Sequence, residues 1–401
     1  MISKPRSLFR WREIPSGVWG LGLVSLFMDL SSEMIHALLP LYLVSVLGAS
    51  TLIVGIIEGV AEATASIVKI FSGALSDYLA RRKLLAALGY GLAAITKPVF
   101  PLASGIAWLT AARFVDRIGK GIRGAPRDAL IADLTPADLR GNAFGLRQSL
   151  DTVGAVLGPL MAIVLMTLFA DNFTTVFWIA VVPAFISFAI IVFAVREPDR
   201  PPDARIVRAP LSRAELSRLG PTYWMVVGIA AIFTLARFSE AFLLLRAQSV
   251  GLELALVPAV MVVMNVAYTI SAWPAGALSD SLGRYGVLTA GFALLILADL
   301  LLALGNNVPI VMAGAALWGL HMGLTQGLLA ALVADTAPAE LRGTAFGMFN
   351  LVSGIALLAA SIIAGALWGK IGPAGTFYAG ALFSMIALAL LPVTQWRMRA
   401  R

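Results

Sequence analysis

The sequence predicts an all-α integral membrane protein, with twelve transmembrane helices in two pseudo-symmetric six-helix bundles. Three observations predict this fold class: an apolar composition, twelve apolar stretches of membrane-spanning length, and an internal repeat whose copies lie 202 to 207 residues apart. A hydrocarbon core about 30 Å thick requires about 20 apolar residues per helix. The repeat predicts that the two halves have the same fold.

The composition excludes a soluble protein. The 401 residues are 59% hydrophobic and 13% charged, with a mean hydropathy of +0.89, whereas soluble domains carry about 25% charged residues. There is no cysteine, which excludes a disulfide framework and a thiolate metal site. The basic residues 1–17 lead directly into an apolar span without a small-residue cleavage site. We therefore expect a cytoplasmic tail and not a cleaved signal peptide.

The apolar stretches divide into two sets of six. The predicted spans are 17–45, 52–75, 84–104, 107–133, 142–168, 174–195, 222–248, 254–276, 286–304, 308–334, 343–368 and 374–393. The segment 196–221 between the sixth and seventh spans is polar and rich in proline and arginine. We therefore predict an N-terminal six-helix bundle over 1–195, a cytoplasmic linker loop over 196–221, and a C-terminal six-helix bundle over 222–401.

Basic residues in the loops predict the orientation. Nineteen of them fall on one side of the predicted membrane, and only Lys370 falls on the other. Because basic loops stay in the cytoplasm, both termini and the linker should be cytoplasmic. The net charge of +8 is then a sign of topology, and no nucleic-acid partner is expected. We expect a multi-pass protein of a bacterial inner (cytoplasmic) membrane that functions as a monomer.

The internal repeat consists of three separate blocks. The segment 133–145, DLTPADLRGNAFG, returns as DTAPAELRGTAFG at 335–347, and a GALSD segment returns after 203 residues. A serine–glutamate pair in span one returns as Ser239-Glu240, after 207 residues. A duplicated six-span unit around a central cavity is typical of carriers that expose one site alternately to each side of the membrane.

The GALSD segment and the glycines of span five resemble motifs of the major facilitator superfamily, and the resemblance covers nearly the whole chain. GALSDYLARRKLLAA is similar to the signature of the loop between spans two and three of that family, and GALSDSLGRY repeats it. Span five is similar to the family's antiporter signature, although Ala162 stands where a final glycine is usual. Close helix packing explains these glycines equally well, and the two readings are compatible. The resemblance implies gating roles for Gly73, Asp77, Arg81, Gly276, Asp280, Arg284, Gly154, Gly158 and Pro159.

Span four contains the unusual segment DRIGKGIRGAPRD at 116–128. It lacks the spacing of a phosphate-binding loop and follows no predicted strand. A solvated loop here would leave both flanking apolar segments too short to span the membrane. We therefore predict a helix with one charged stripe, in which Asp116 can pair with Lys120 one turn later. Because charges at membrane depth avoid lipid, the stripe should face a water-filled cavity or opposite charges.

The other charged residues of the spans lie mainly in the first half. Asp29 and Glu33, and likewise Glu58 and Glu62, are spaced one helical turn apart, and two close carboxylates favour protonation of one of them. The resemblance makes Arg117 similar to the family's proton-coupling arginine. The predicted proton-coupling residues are Asp29, Glu33, Glu58, Glu62 and Arg117. The predicted cavity residues are His36, Lys69, Arg113, Asp116, Lys120, Arg123, Arg147, Asp151, Arg237, Glu240 and Gln326. Each of these carboxylates could equally well be the partner of an arginine in a structural ion pair instead of a proton-coupling group.

These patterns predict a transporter and not an enzyme, because the sequence lacks H-E-x-x-H, a cysteine nucleophile and a nucleotide-binding loop. We expect proton-coupled alternating access for a small polar, zwitterionic or anionic organic solute, with export by antiport favoured. The alternatives are import by proton symport, or transport of a metal or metal chelate through Asp29, Glu33 and His36. The expected partners are the solute, protons and the lipid bilayer, with no cofactor and no resident metal. Asp299 has no charged neighbour at helical spacing, and its role is open.

Overall fold

The computed structural model describes residues 13–79, 81–136, 139–197, 216–338 and 341–399, and no strand occurs among them. The helices of the first half are α1 (Ser16–Leu41, extended by a π-helical turn, Tyr42–Val46), α2 (Thr51–Leu79), α3 (Arg82–Thr96), α4 (Val99–Leu102), α5 (Ile106–Leu134), α6 (Arg140–Leu168) and α7 (Phe173–Phe193). Those of the second half are α8 (Pro221–Ala236), α9 (Ala241–Ser249), α10 (Ala259–Leu304), α11 (Val308–Thr336), α12 (Arg342–Ile371) and α13 (Pro373–Arg399). The fold is all-α, as predicted.

Eleven described helical segments are long and apolar enough to cross a membrane. The remaining span is α5, which has 29 residues but carries the charged stripe. With α5 the architecture is the predicted set of twelve spans. Its charges are tolerated because Arg113, Asp116, Arg117 and Arg123 are buried inside the protein and do not face lipid.

Two predicted spans differ from simple helices. Spans eight and nine join in the continuous helical run α10, which bends at Gly283, where φ is 73° and ψ is 154°. Span seven is broken: α8 ends at Ala236 and α9 begins at Ala241. Non-helical backbone at membrane depth occurs where it is buried in protein or lines a cavity, and this break does line one.

Close backbone contacts at glycines hold the helices of each half together. A Cβ on Gly154 of α6 would lie 2.6 Å from the Leu26 carbonyl oxygen of α1, and one on Gly158 would lie 2.6 Å from the Glu33 Cβ. Gly119 of α5 meets α3 equally closely. Small residues permit such approach where membrane helices associate. The segment predicted as a gating signature therefore also holds α6 against α1.

The two halves touch near one end of the molecule, which we name the Gly48 end; the opposite one is the Arg81 end. The α2–α12 contact begins where the Thr51 hydroxyl donates to the Gly365 carbonyl at 3.1 Å. It continues along α2 until Gly354, where a Cβ would lie 3.0 Å from the Ser66 Cβ. The space between the halves lies on the Arg81 side of these contacts.

Candidate transport cavity

A cavity of about 620 Å³ lies between the two halves, and both halves line it. From the first half come Glu33, His36, Glu62, Ser66, Arg117, Lys120 and Ala155. From the second come Thr234, Arg237, Phe238, Ser239, Glu240, Asn265, Trp318, Met322, Gln326, Leu329, Phe349, Asn350, Ser353 and Leu357. Its size suits a small organic solute. Its wall carries charges of both signs.

Behind the first-half wall, carboxylates of α1 and α2 pair with arginines of α5. The Arg113 guanidinium donates to the Glu58 carboxylate at 2.6 Å, and both side chains are fully buried. His36 lies 3.4 Å from Glu33 and 3.5 Å from Glu58, so it connects the two carboxylates. Glu58 and Arg113 thus form a structural pair beneath the cavity surface, and Arg113 does not line the cavity.

At the cavity surface, Arg117 donates to the Glu62 carboxylate at 3.2 Å. Glu62 retains 28% side-chain exposure, whereas Arg117 retains 2%. Water in the cavity therefore reaches the carboxylate of this pair more readily than the guanidinium. A change in the charge of Glu62 would change what Arg117 can bind.

The expected pair between Asp116 and Lys120 does not form. Asp116 instead accepts from the Lys97 ammonium at 2.9 Å and lies 3.2 Å from Arg117. Because α3 packs on that side of α5, Asp116 faces the interior of the bundle. Lys120 is left exposed in the cavity, and no described carboxylate lies within 4.0 Å of its ammonium.

The rest of the α5 stripe also turns inward. Arg123 stacks over Tyr90, with its guanidinium carbon 4.9 Å from the ring centroid. Arg127 donates to the Ser25 hydroxyl at 2.9 Å and lies 3.8 Å from Asp151. Because the helix is in contact with α1, α2, α3 and α6 around its circumference, one stripe faces several partners.

Asp29 and Asp151 face each other between α1 and α6. Their carboxyl groups are within hydrogen-bonding reach of one another, and Asp151 also lies 3.2 Å from Arg147. Neither aspartate nor Arg147 is among the residues that line the 620 Å³ cavity. Two charged carboxylates at such a distance would repel each other. Asp29 pairs with Asp151 and not with Glu33, its neighbour in sequence.

Lys69 was predicted as a cavity residue, and the structure does not place it there. Its side chain is exposed, and its Cε lies 3.7 Å from the point where a Cβ on Gly124 would be. Lys69 is not among the residues that line the cavity. Lys69 follows Glu62 by two turns of α2, and at that distance along the helix its side chain lies beyond the part of α2 that lines the cavity.

The second-half wall is built around the break in span seven. Arg237 follows α8 and Glu240 precedes α9, with Phe238 and Ser239 between them. The Ser239 amide donates to the Ser361 hydroxyl at 3.2 Å, and the Ser239 hydroxyl accepts from the Ala241 amide at 3.2 Å. These bonds satisfy backbone groups that an unbroken helix would pair. The break therefore presents Arg237 and Glu240 to the cavity.

Arg237 and Glu240 have no ion-pair partner among the residues that the structure describes. The Nε atom of the Arg237 guanidinium is buried and makes no hydrogen bond to the described residues. With Lys120 they give the cavity two unpaired cations and one unpaired anion, contributed by both halves. Asn265, Gln326 and Asn350 add uncharged polar groups.

The predicted gating residues of the two loop motifs lie at the Arg81 end, as far as the structure describes them, whereas Gly154, Gly158 and Pro159 lie within α6. Arg82 pairs with Asp133 at 2.7 Å, and Arg284 pairs with Asp335, its counterpart in the second half. Gly73 faces Ala125 of α5 at 3.4 Å. Arg81 precedes α3 as its N-cap residue. The structure does not describe the side chains of Asp77 and Asp280 or the surroundings of Gly276.

The geometry does not favour the metal alternative. Among the described residues, no group of three or more histidine, aspartate or glutamate side chains could hold a metal ion. Asp29 faces Asp151, while Glu33 and His36 face each other, so the three residues proposed from the sequence do not converge.

Sequence reasoning missed Phe238, Trp318 and Phe349 as parts of the wall. These aromatic side chains are indistinguishable in sequence from residues that face lipid. The repeat was the usable signal for the second half, because Ser239-Glu240 matches a pair in span one whose glutamate, Glu33, also lines the cavity.

A twelve-span bundle with a polar cavity between two related halves is the architecture of a secondary transporter of the membrane. Comparison with known proteins agrees: the sequence profile of the Major Facilitator Superfamily matches residues 21–264 and 229–400. The chain belongs to this superfamily, and its function is transport and not enzymatic catalysis.

Relatives and solved structures give the same result. An uncharacterised MFS-type transporter of Methanocaldococcus jannaschii is 35% identical over 390 residues, covering 95% of each chain. The multidrug resistance protein MdtH of Photorhabdus laumondii is 30% identical over 168 residues, which are 40% of this chain and 38% of that protein. The crystal structure of the nucleoside transporter NupG superposes with a TM-score of 0.78 at 12% identity, covering 94% of this chain and 99% of that one; this likeness concerns the fold alone.

Proposed function

We propose that the protein is a proton-coupled antiporter of a bacterial inner membrane that exports a small zwitterionic organic solute. The observation that carries the proposal is the set of unpaired charges on the cavity wall. Lys120 and Arg237 offer positive charge from opposite halves, and Glu240 offers negative charge beside Arg237. A solute with an anionic and an ammonium group would satisfy both signs at once.

Binding between the halves would couple the solute to the rocking motion. Lys120 belongs to α5 of the first half, and Arg237 to the break between α8 and α9 of the second. An anionic group held by both links the halves through one ligand. Arginine and lysine both bind carboxylates and phosphates, arginine often through two parallel hydrogen bonds.

Antiport follows from competition for carboxylates. The solute's ammonium group and a proton would both neutralise Glu240 and the partly exposed Glu62, so that each excludes the other. Such mutual exclusion is a coupling free energy between two ligands, and it is reciprocal. Arg117 keeps its own charge at working pH. It would therefore hold Glu62 while that carboxylate is charged and release it once a proton binds. Import of an anion-only solute by symport is the second candidate, because a protonated Glu62 at 3.2 Å would free Arg117 to bind that anion.

The Asp29–Asp151 pair is the second proton position that we propose for the first half. A proton shared by Asp29 of α1 and Asp151 of α6 would remove the repulsion between their charges. This would strengthen the contact between the two helices that Gly154 makes possible. The export direction is supported by this glycine contact, by its likeness to an antiporter signature, and by the name of the partial relative MdtH. Cytoplasmic termini, the linker as a cytoplasmic loop and monomeric function complete the proposal.

A thermal-stability screen in detergent tests the solute class. The panel contains amino acids and other zwitterions, small carboxylates and organic phosphates, with neutral sugars and quaternary amines for comparison. A ligand that binds the folded state raises Tm. We expect zwitterions to stabilise the wild type and to lose this effect in Lys120→Gln, Arg237→Gln and Glu240→Gln.

Lys69→Gln is the matched control, because it removes a lysine charge outside the cavity. It should retain the wild-type shift. Stabilisation by quaternary amines alone, or an equal shift in Lys120→Gln and Lys69→Gln, would refute the proposed solute class.

A further inference from the structure

Asp299 lies in the core of the second half and makes no hydrogen bond there. Its side chain is fully buried, and neither carboxyl oxygen has a partner among the described residues. It occurs on the second half of α10, within the segment LLILADLLLALG. A charged carboxylate without a partner at membrane depth is strongly unfavourable. A bound proton or metal ion would remove this charge.

The surroundings of Asp299 suit a proton and not a metal ion. Its Oδ2 atom lies 2.5 Å from the point where a Cβ on Gly380 of α13 would be, so glycine there makes room for the carboxyl group. Phe238 approaches the same point to within 3.1 Å. Sodium or another metal ion needs several oxygen ligands, whereas the two residues shown beside the carboxyl group, Gly380 and Phe238, offer no side-chain oxygen. A proton needs one oxygen only.

No charged group that the structure describes on the neighbouring elements pairs with Asp299. His321 of α11 is also buried, against Trp318 and Phe233, and Arg246 donates to the carbonyls of Leu302 and Gly305. The titratable groups that the structure describes on these elements include His321, Asp335, Tyr378, Arg237, Glu240 and Arg246, together with Tyr268, Arg284 and Tyr285 of α10 itself. None of them forms an ion pair with Asp299 among the described residues.

Phe238 lies both at the cavity wall and beside Asp299. It occupies the break of span seven between Arg237 and Ser239, it lines the cavity, and its ring is 4% exposed. The same ring lies beside Gly380 and therefore beside the carboxyl group. Backbone outside a helix can move without breaking a regular hydrogen-bond ladder.

We propose that Asp299 is a proton-binding site of the second half, and that Phe238 is the barrier through which it exchanges its proton with cavity water. Movement of the span-seven break, to which Arg237 and Glu240 also belong, would open and close this route. The site stands whether or not the first-half carboxylates move protons and whether or not the solute is zwitterionic. It gives the second half a proton position that helical spacing alone did not reveal.

Carbodiimide modification in lipid nanodiscs, mapped by mass spectrometry, tests the site. A protonated carboxyl group adds to a carbodiimide: its proton passes to a nitrogen and its oxygen bonds to the central carbon. The acyl group then shifts to nitrogen and gives a stable N-acylurea, so nothing leaves. Apolar dicyclohexylcarbodiimide reports a protonated carboxyl group in an apolar site, and a water-soluble carbodiimide reports one that water reaches.

We expect the apolar reagent to modify Asp299 in the wild type and the water-soluble reagent to leave it unmodified. Phe238→Ala, or the milder Phe238→Leu if the first variant folds poorly, should raise modification by the water-soluble reagent several-fold. Phe100→Ala is the control, since that ring is buried in the first half and packs on Phe177. Two results would overturn the proposal: no modification of Asp299 by the apolar reagent in any variant, or equal modification by the water-soluble reagent in wild type and Phe238→Ala.

Discussion

The buried pair between Arg113 and Glu58 should be the most sensitive ion pair of the protein. The two side chains are 2% and 0% exposed, and their atoms lie 2.6 Å apart. Arg113→Met would leave Glu58 buried with His36 as its nearest remaining partner at 3.5 Å. Removing one partner of a buried pair costs about 3–5 kcal/mol of unfolding free energy. Replacing both, in Arg113→Met/Glu58→Met, should restore most of that loss, because no uncompensated charge remains.

Reversible unfolding in mixed micelles measures these free energies. The control is the pair Arg284–Asp335, which is 41% and 43% exposed; Arg284→Met should cost at most about 1 kcal/mol, as exposed pairs do. If Arg113→Met is no more destabilising than Arg284→Met, or if the double variant is worse than the single one, the reasoning about burial is wrong.

Three further predictions follow from packing and topology. Gly158→Ala should destabilise the first half by about 1–3 kcal/mol, because its Cβ would meet Glu33 at 2.6 Å, whereas Gly145→Ala meets nothing within 4 Å and should be neutral or stabilising; equal midpoints in an unfolding titration would contradict this. Gly365→Val crowds the α2 backbone at the Gly48 end, so spin labels across that end should move apart, and an unchanged distance distribution would count against the contact. The cysteine-free chain allows labelling from outside the cell: a cysteine at 306 should react and one at 205 should not, and the reverse pattern refutes the proposed orientation.

Hydropathy and the repeat were sufficient to predict the fold, because lipid imposes length and apolar character on every span. They did not predict the break of span seven, since no proline or glycine occurs between Arg237 and Glu240. The break is maintained by tertiary bonds, such as that between the Ser239 amide and the Ser361 hydroxyl.

Spacing along one helix identified which charges belong together but not which partners they meet. It grouped Asp29 with Glu33 and Asp116 with Lys120, whereas the structure pairs Asp29 with Asp151, and Asp116 with Lys97. In each case the partner belongs to another helix. Asp299 had no interpretation from its own helix because its neighbours, Gly380 and Phe238, come from other elements.

The sign of the proton change upon solute binding tests the central claim most directly. The strongest zwitterionic stabiliser from the screen is added to purified protein, and the protons released or taken up are counted by calorimetry in buffers of different ionisation enthalpy. At a pH acidic enough to load these carboxylates with protons, the account predicts that the wild type releases protons, because the solute's ammonium group displaces them from Glu62 and Glu240. The release should fall in Glu62→Gln and in Glu240→Gln, and remain in Lys69→Gln. Proton uptake on binding, or a release that both glutamine variants retain in full, would contradict antiport through this cavity.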